Sequence, residues 1–256
     1  MTANLLAAEV AESERERLKS AVVSYGDGVG AFDGRMRTYM MRTFAPHFQA
    51  GKCLQIGCAH GDQTSLLLER FNDITVVEAE PHFIEHTRAR LGDRVRFVES
   101  FVEDFDNGER YDTILFSHVL EHVIDPVIAL KKLASLLKPQ GRLLVAVPNA
   151  EAPSRRIAVK MGVLTHLEAL SEADTAAGHR RVYRLDTLER DVSLAGLHIE
   201  ASGGIFYKPL ANFQFDQLIG TPTLSEAFLE GCYRLGLERP TECASLYVVA
   251  SKGHVA

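Results

Sequence analysis

Short apolar runs of the length of β-strands recur along the middle of the chain. Five of them follow one another: "KCLQI", "ITVVE", "VRFVE", "YDTILFS" and "GRLLVAVP". Most are separated by stretches with the longer period of amphipathic helices, which predicts helices over 61–71, after Pro81 and over 126–137. This alternation predicts an α/β fold in which helices cover both faces of a parallel sheet and ligands bind at the carboxyl ends of the strands.

The pattern changes on both sides of this core. Residues 3–23 predict a loosely amphipathic helix, and residues 150–180 contain two predicted helices but no strand. Two later apolar runs, "LHIEASGGIFY" and "CASLYVVAS", predict a strand pair that closes the sheet. We therefore predict an N-terminal helical cap over 1–48 and a domain over 49–256 that carries a helical insertion at about 150–180.

Composition narrows the class of protein. The chain has 256 residues, of which 46% are apolar, so it can bury one substantial core. Its net charge of −6 is spread in short alternations, which does not indicate a polyanionic partner. The N-terminus lacks the features of a secretory signal, and no apolar run approaches ~18 residues. We expect a soluble, cytoplasmic monomer or homodimer with neither a nucleic acid nor a membrane as partner.

The four cysteines, Cys53, Cys58, Cys232 and Cys243, have neither the paired spacing of a zinc knuckle nor the density of a disulfide scaffold. We expect reduced, buried thiols.

The segment "LQIGCAHG" ends the first predicted strand in a glycine-containing turn before a helix. Such a turn offers free backbone N–H groups and the positive end of a helix dipole, and Gly57 and Gly61 let a ligand approach the backbone closely. Alone, this pattern more often marks an ordinary strand-to-helix turn. However, Glu78 ends the next strand 21 residues after Gly57, where an acid can accept both hydroxyls of a ribose. The two features together predict a nucleotide-type site.

With these motifs, residues from about 35 to 251 resemble the class I S-adenosylmethionine-dependent methyltransferases. The resemblance implies a Rossmann-like, seven-stranded, mostly parallel sheet with an antiparallel last strand. It also implies methyl transfer from S-adenosylmethionine to an oxygen or nitrogen of a small-molecule acceptor, with S-adenosylhomocysteine as product. Gln55 and Ala59 depart from the family, which usually has an acid and a glycine there, so we expect weaker or reorganised cofactor binding.

Carried over position by position, the resemblance implies a set of cofactor contacts: Arg37, Gly57, Cys58, Ala59, Gly61, Glu78, Ala79, Phe101, Val102 and Ser117. Arg37 would reach the cofactor carboxylate, Phe101 would lie against the adenine ring, and the Val102 N–H would lie near the ring's edge. The alternative for Phe101 and Val102 is packing in the core. The alternative for Arg37 is a solvated helix face.

Histidines supply the candidate bases, because their side chains titrate near neutrality. His118 follows the fourth strand in "FSHVLEHVIDP" and His179 opens "GHRRVYRLDTLERD", so we predict these two as catalytic residues and His122 as structural. A helix-start histidine that is satisfied by the backbone is equally common at a position such as His118. Arg155, Arg156 and Lys160 would suit an anionic acceptor, although a solvated helix face explains them as well.

Three other functions remain open at this point. H-x-x-E-H is also the signature of a zinc-peptidase helix, but Asp125-Pro126 would break such a helix, so we predict no metal. A nicotinamide-dependent oxidoreductase normally needs G-x-G-x-x-G, with which the spacing of Gly57, Ala59 and Gly61 disagrees. A cofactor-binding protein without catalytic activity is the third alternative, since Gln55 and Ala59 weaken the loop.

Overall fold

The computed structural model describes residues 8–25 and 30–253. Its strands are β1 Lys52–Ile56, β2 Asp73–Glu78, β3 Arg96–Glu99, β4 Tyr111–Ser117, β5 Leu137–Pro148, β6 Leu197–Tyr207 and β7 Cys243–Lys252. Its helices are α1 Ala8–Tyr25, α2 Ala31–Phe44, α3 Asp62–Leu67, α4 Pro81–Leu91, α5 Pro126–Leu136, α6 Pro153–Lys160, α7 Glu172–Ala176, α8 Leu185–Leu194, α9 Asn212–Leu218 and α10 Glu226–Glu238.

The seven strands form one sheet in the order β3-β2-β1-β4-β5-β7-β6. Strands β1 to β5 pair in parallel, whereas β7 lies antiparallel between β5 and β6. The Rossmann-like fold class with an antiparallel last strand is therefore confirmed. The strand order reverses between β1 and β4, and at such a point the loops leaving the two strands diverge and open a crevice for a ligand.

Each face of the sheet contributes to its own apolar core. Because side chains alternate along a strand, Ile114 and Phe116 of β4 belong to one core, while Leu115 belongs to the other. The first core includes Leu133 of α5, and the second includes Phe44 of α2. Burial on both faces explains why the strands are almost continuously apolar.

Helices α1 and α2 precede β1, α6 and α7 lie between β5 and α8, and α9 and α10 lie between β6 and β7. The division into a cap over 1–48 and a domain over 49–256 stays a prediction. Across 8–25 and 30–253, no helix combines the length and the apolar character needed to cross a membrane. All four cysteines are buried and free of disulfides.

Candidate active site

The turn after β1 is wound by residues in the left-handed region of backbone space. Gly57 and Gly61 have φ of 75° and 82°, and Ala59 between them has φ of 44°. The Gly57 N–H donates to the Val77 carbonyl at 2.8 Å, which ties the turn to β2. A Cβ at Gly57 would lie 2.6 Å from Val119 Cγ2, so only glycine fits there. Alanine at position 59 retains the glycine-like conformation at a steric cost.

Glu78 joins the loops that follow β1 and β2. Its Oε2 accepts from the Cys58 N–H at 2.9 Å, and its Oε1 accepts from the Glu80 N–H at 3.0 Å. Burial raises the pKa of the Glu78 carboxyl, while the backbone donors act in the opposite direction. Each carboxylate oxygen has a further lone pair that can accept from a ribose hydroxyl. The predicted ribose contact therefore fits the geometry and stays a prediction.

Gln55 and Arg37 each hold a buried polar atom that makes no hydrogen bond within the described part of the chain. The Gln55 Nε2 donates to the Gly57 carbonyl at 2.9 Å, which leaves its Oε1 as an unused acceptor. Arg37 presents its Nε as an unused donor. Unpaired buried polar atoms are uncommon because desolvation is costly. An acceptor and a cationic donor are the pair that an amino acid's ammonium and carboxylate would satisfy, so the site fits S-adenosylmethionine.

A small polar cluster lies where α2, α3 and β4 meet. The Ser117 hydroxyl donates to Met40 Sδ at 2.8 Å, and Gln63 Nε2 lies 3.3 Å from the same sulfur and 3.4 Å from the Ser117 Oγ. Met40 is one helical turn from Arg37, so both lie on one side of α2. Neither Met40 nor Gln63 was predicted from the sequence. Gln63's position in the first turn of the helix after Gly61 was the available signal.

The loop after β3 places its two predicted residues differently. Val102 is buried and belongs to the core below the sheet edge, in agreement with the packing alternative for its side chain. Phe101 is half-buried, and the Arg15 guanidinium of α1 lies 5.3 Å from its ring centroid. Ala79 directly follows Glu78 and is half-buried. The adenine contacts stay predictions.

His118 occupies a strained position just beyond β4. Its φ is 55°, a region that few residues other than glycine adopt, and its N–H donates to the Ala146 carbonyl at 2.8 Å. Its Nδ1 lies 3.3 Å from Glu121 Oε1, and its Nε2 lies 3.1 Å from the Ser245 hydroxyl. One third of the side chain is exposed. The ring is thus held from both sides and still reaches solvent.

Glu121 is the buried partner of this histidine. Its side chain has no exposed surface. Burial opposes ionisation, but the hydrogen bond and charge of His118, together with the charges of His122 and His179, hold the pKa of Glu121 below its ordinary value. Residues 118–125 form turns, and α5 begins only at Pro126. The zinc-peptidase interpretation required a helix here, and it is wrong.

His179 lies against His122, with 4.8 Å between the ring centroids. The Nδ1 of His122 is 3.2 Å from the Gly178 carbonyl, and the Nδ1 of His179 is 3.1 Å from Asp174 Oδ1. Burial lowers the pKa of His122 to about 4. Burial acts in the same direction on His179, but the hydrogen bond to Asp174 and nearby acids raise its pKa. The base roles of His118 and His179 stay predictions.

The arginines of α6 are used within the protein. The Arg155 guanidinium pairs with Asp174 at 2.9 Å and donates to the carbonyls of Leu167 and Ala169. Arg156 donates to the carbonyl and carboxylate of Glu151. Both guanidiniums therefore hold the insertion in place, and neither supports a site for an anionic acceptor.

The chain is similar to methyltransferases in sequence. A family model described as a methyltransferase domain matches residues 30–202. Nodulation protein S of Bradyrhizobium diazoefficiens is 30% identical over 130 residues, which span 49% of this chain and 62% of that protein. The ubiquinone biosynthesis O-methyltransferase of Chelativorans sp. is 29% identical over 172 residues, or 66% of this chain and 67% of that enzyme.

Solved structures show the same fold at low identity. The N-methyltransferase NodS of Bradyrhizobium japonicum, in complex with S-adenosylhomocysteine, matches with a TM-score of 0.60 and 14% identity over 94% of this chain and 99% of that one. A possible histamine N-methyltransferase of Thermotoga maritima matches with a TM-score of 0.62 and 17% identity over 95% of this chain and 100% of that one.

Proposed function

The chain belongs to the class I S-adenosylmethionine-dependent methyltransferases, and we propose that it transfers the cofactor's methyl group to an oxygen or nitrogen of a small-molecule acceptor. The observation that carries this proposal is that two buried atoms, Arg37 Nε and Gln55 Oε1, are both unused by the described residues, in a fold whose Gly57–Gly61 turn is bound to Glu78. An S-adenosyl group presents complementary atoms: a carboxylate, an ammonium and two ribose hydroxyls.

Each of these residues would hold one part of the cofactor. Arg37 would bind the carboxylate, Gln55 the ammonium, Glu78 the ribose hydroxyls, and the Gly57–Gly61 turn would contact the ligand through its backbone. The bound cofactor supplies an electrophilic methyl group on a sulfonium. The protein's contribution is to align the acceptor with that group and to exclude water, which accounts for most of the rate enhancement in such a displacement.

We assign the proton acceptor to His118. Glu121 Oε1 lies 3.3 Å from Nδ1, so its negative charge favours the tautomer that carries the proton on Nδ1 and stabilises the ring once it is protonated. In the free protein the Ser245 hydroxyl, 3.1 Å from Nε2, orients the ring through a hydrogen bond to this nitrogen, and the acceptor would take its place there. The proton of an acceptor hydroxyl would pass to Nε2 as the methyl group is transferred, whereas a protonated amine would give its proton to Nε2 first and then attack with the lone pair that this frees. Glu121 and Ser245 act as positioning residues.

The relatives include named N-methyltransferases and O-methyltransferases, so both acceptor atoms belong to the proposal. We further propose a cytoplasmic protein that acts as a monomer or homodimer on a small molecule, without nucleic acid. The overall charge of −6 supports the absence of a nucleic-acid partner, because nucleic-acid-binding surfaces are basic.

The test starts with cofactor binding. Tag-free protein is titrated by calorimetry with S-adenosylhomocysteine and, in parallel, with NADH. We expect micromolar affinity for the first and no saturable binding of the second. The reverse result would replace the proposal with an oxidoreductase.

The base is tested with His118→Asn, because asparagine tolerates the left-handed backbone of this position. Release of S-adenosylhomocysteine is measured against a panel of phenols, alcohols and amines. For an acceptor that is turned over, we expect kcat to fall ~100-fold or more while cofactor affinity is kept. His198→Asn, an exposed histidine on β6, is the matched control. An unchanged kcat in His118→Asn would assign His118 to packing.

A further inference from the structure

Glu121, His122 and His179 form a compact cluster between the end of β4 and the segment after α7. Each offers one metal-ligating atom, and these three atoms lie within 4.8 Å of one another. We propose that this cluster, here called the 121/122/179 site, binds a divalent transition-metal ion of the zinc class. Two imidazoles and one carboxylate are a donor set that such ions prefer, whereas magnesium and calcium prefer oxygen alone.

The buried carboxylate is the first line of support. Neither oxygen of Glu121 accepts a hydrogen bond of good geometry from any described residue, although its side chain is wholly buried. His118 Nδ1 lies 3.3 Å from one of its oxygens. Arg180, which could have neutralised it, instead pairs with Glu14 and donates to the His122 carbonyl. A buried carboxylate needs a countercharge, and a divalent cation between the carboxylate and the two imidazoles would supply it.

The surroundings of the two imidazoles are the second line of support. The Nδ1 of His122 faces the Gly178 carbonyl at 3.2 Å, and the Nδ1 of His179 faces Asp174 Oδ1 at 3.1 Å. Asp174 is itself held by Arg155 at 2.9 Å. Metal-ligating histidines almost always direct one ring nitrogen to a carbonyl or carboxylate, which fixes the ring and leaves the other nitrogen for the metal. His122 has this arrangement, and the Nδ1 of His179 lies at ion-pair distance from Asp174, so Nε2 is the remaining nitrogen of each ring.

The backbone holds the two contributing segments together without the ion. The Arg180 N–H donates to the Glu121 carbonyl at 2.9 Å, and Arg17 of α1 donates to the carbonyls of His122 and Gly178. The ligands are therefore placed by the fold, and a cation would add to a preformed site. Three protein ligands leave at least one coordination position for a water or another oxygen ligand. Metal binding at this site does not depend on the proposed methyl transfer.

The experiment measures metal uptake and needs no acceptor. Tag-free protein is stripped with a chelator, dialysed and titrated with Co²⁺, while visible absorption and heat are recorded. Zn²⁺ is then added. We expect one equivalent of Co²⁺ per chain with a ligand-field spectrum, and displacement by one equivalent of Zn²⁺. Wild-type protein that is folded and binds S-adenosylhomocysteine, but takes up no saturable Co²⁺, would overturn the proposal whatever the variants do.

Variants locate the ion. His179→Gln and Glu121→Gln should each weaken Co²⁺ binding by ~100-fold or more, and Asp174→Asn, which keeps all three ligands, by ~10- to 100-fold. His198→Gln, an exposed histidine on β6, should keep the wild-type affinity and spectrum. Circular dichroism verifies that each variant is folded. Unchanged affinity in a folded His179→Gln variant would show that the ion binds elsewhere and would refute the 121/122/179 site.

Discussion

Replacement of Arg37 by methionine separates a role in cofactor binding from a role in packing. Methionine keeps an unbranched apolar stem but has no donor. In the structure the Arg37 Nε is buried and makes no hydrogen bond with the described residues, so the substitution breaks no hydrogen bond between that atom and them. We therefore expect the substitution to weaken cofactor binding without lowering the free energy of unfolding of the ligand-free protein.

The magnitudes follow from the chemistry of one buried donor. A hydrogen bond to a charged partner contributes about 1.5–3 kcal/mol, and since ~1.4 kcal/mol is a tenfold change in affinity, S-adenosylhomocysteine should bind Arg37→Met ~10- to 100-fold more weakly. An unsatisfied buried donor costs about 1–3 kcal/mol. The free energy of unfolding of the ligand-free variant should therefore be unchanged or raised.

Calorimetry and urea unfolding measure the two effects. Arg35→Met is the matched control, because Arg35 is exposed on the same helix and pairs with Glu226 at the surface, a contact of ~1 kcal/mol or less. Methylthioadenosine, which lacks the amino-acid end, should bind both variants equally well. Wild-type affinity of Arg37→Met for S-adenosylhomocysteine, or an equal loss for both ligands, would show that Arg37 does not bind the carboxylate.

Two further predictions concern the left-handed backbone of Ala59 and the half-buried charge of Lys208. Ala59→Gly should leave the free energy of unfolding unchanged or raise it by up to ~1 kcal/mol, because relief of the left-handed strain outweighs the added entropy of the unfolded chain. The control Ala134→Gly in α5 should lower it by ~1 kcal/mol. Urea midpoints compare the two variants, and equal losses would refute the strain at position 59. Lys208 is half-buried with its Nζ 5.6 Å from the Phe32 ring centroid, and this partial burial lowers its pKa from 10.5 to about 8. Because the unfolded chain keeps this proton up to about pH 10.5, the charged lysine destabilises the folded protein fully below pH 8, and the destabilisation is relieved as pH rises to about 10.5. The free energy of unfolding of the wild type should therefore rise between pH 8 and 10.5, and Lys208→Met should reduce this rise. Parallel curves of unfolding free energy against pH for the two proteins would contradict the prediction.

Local signals in the sequence determined most of the fold and part of the site. The alternation of strands and helices predicted the parallel core of the sheet, because the burial of each segment sets the length of its apolar run and the spacing of its apolar residues. The turn at Gly57 and the acid at Glu78 could also be predicted, because each lies at the end of a strand and neighbouring parallel strands bring those ends together. The role of Gln55 could be predicted only in part, because the sequence shows that it replaces an acid but not that its amide donates to the Gly57 carbonyl in the turn.

Only the tertiary structure decided which side chains meet at the candidate base and at the 121/122/179 site. Ser245 reaches His118 because β7 is inserted beside β5, and no local pattern specifies that pairing. His179 reaches His122 because the segment after α7 returns to the end of β4. Such contacts arise from the packing of distant segments, whose order depends on the burial of the whole core. The sequence supplied the chemical groups, and the fold determined their partners.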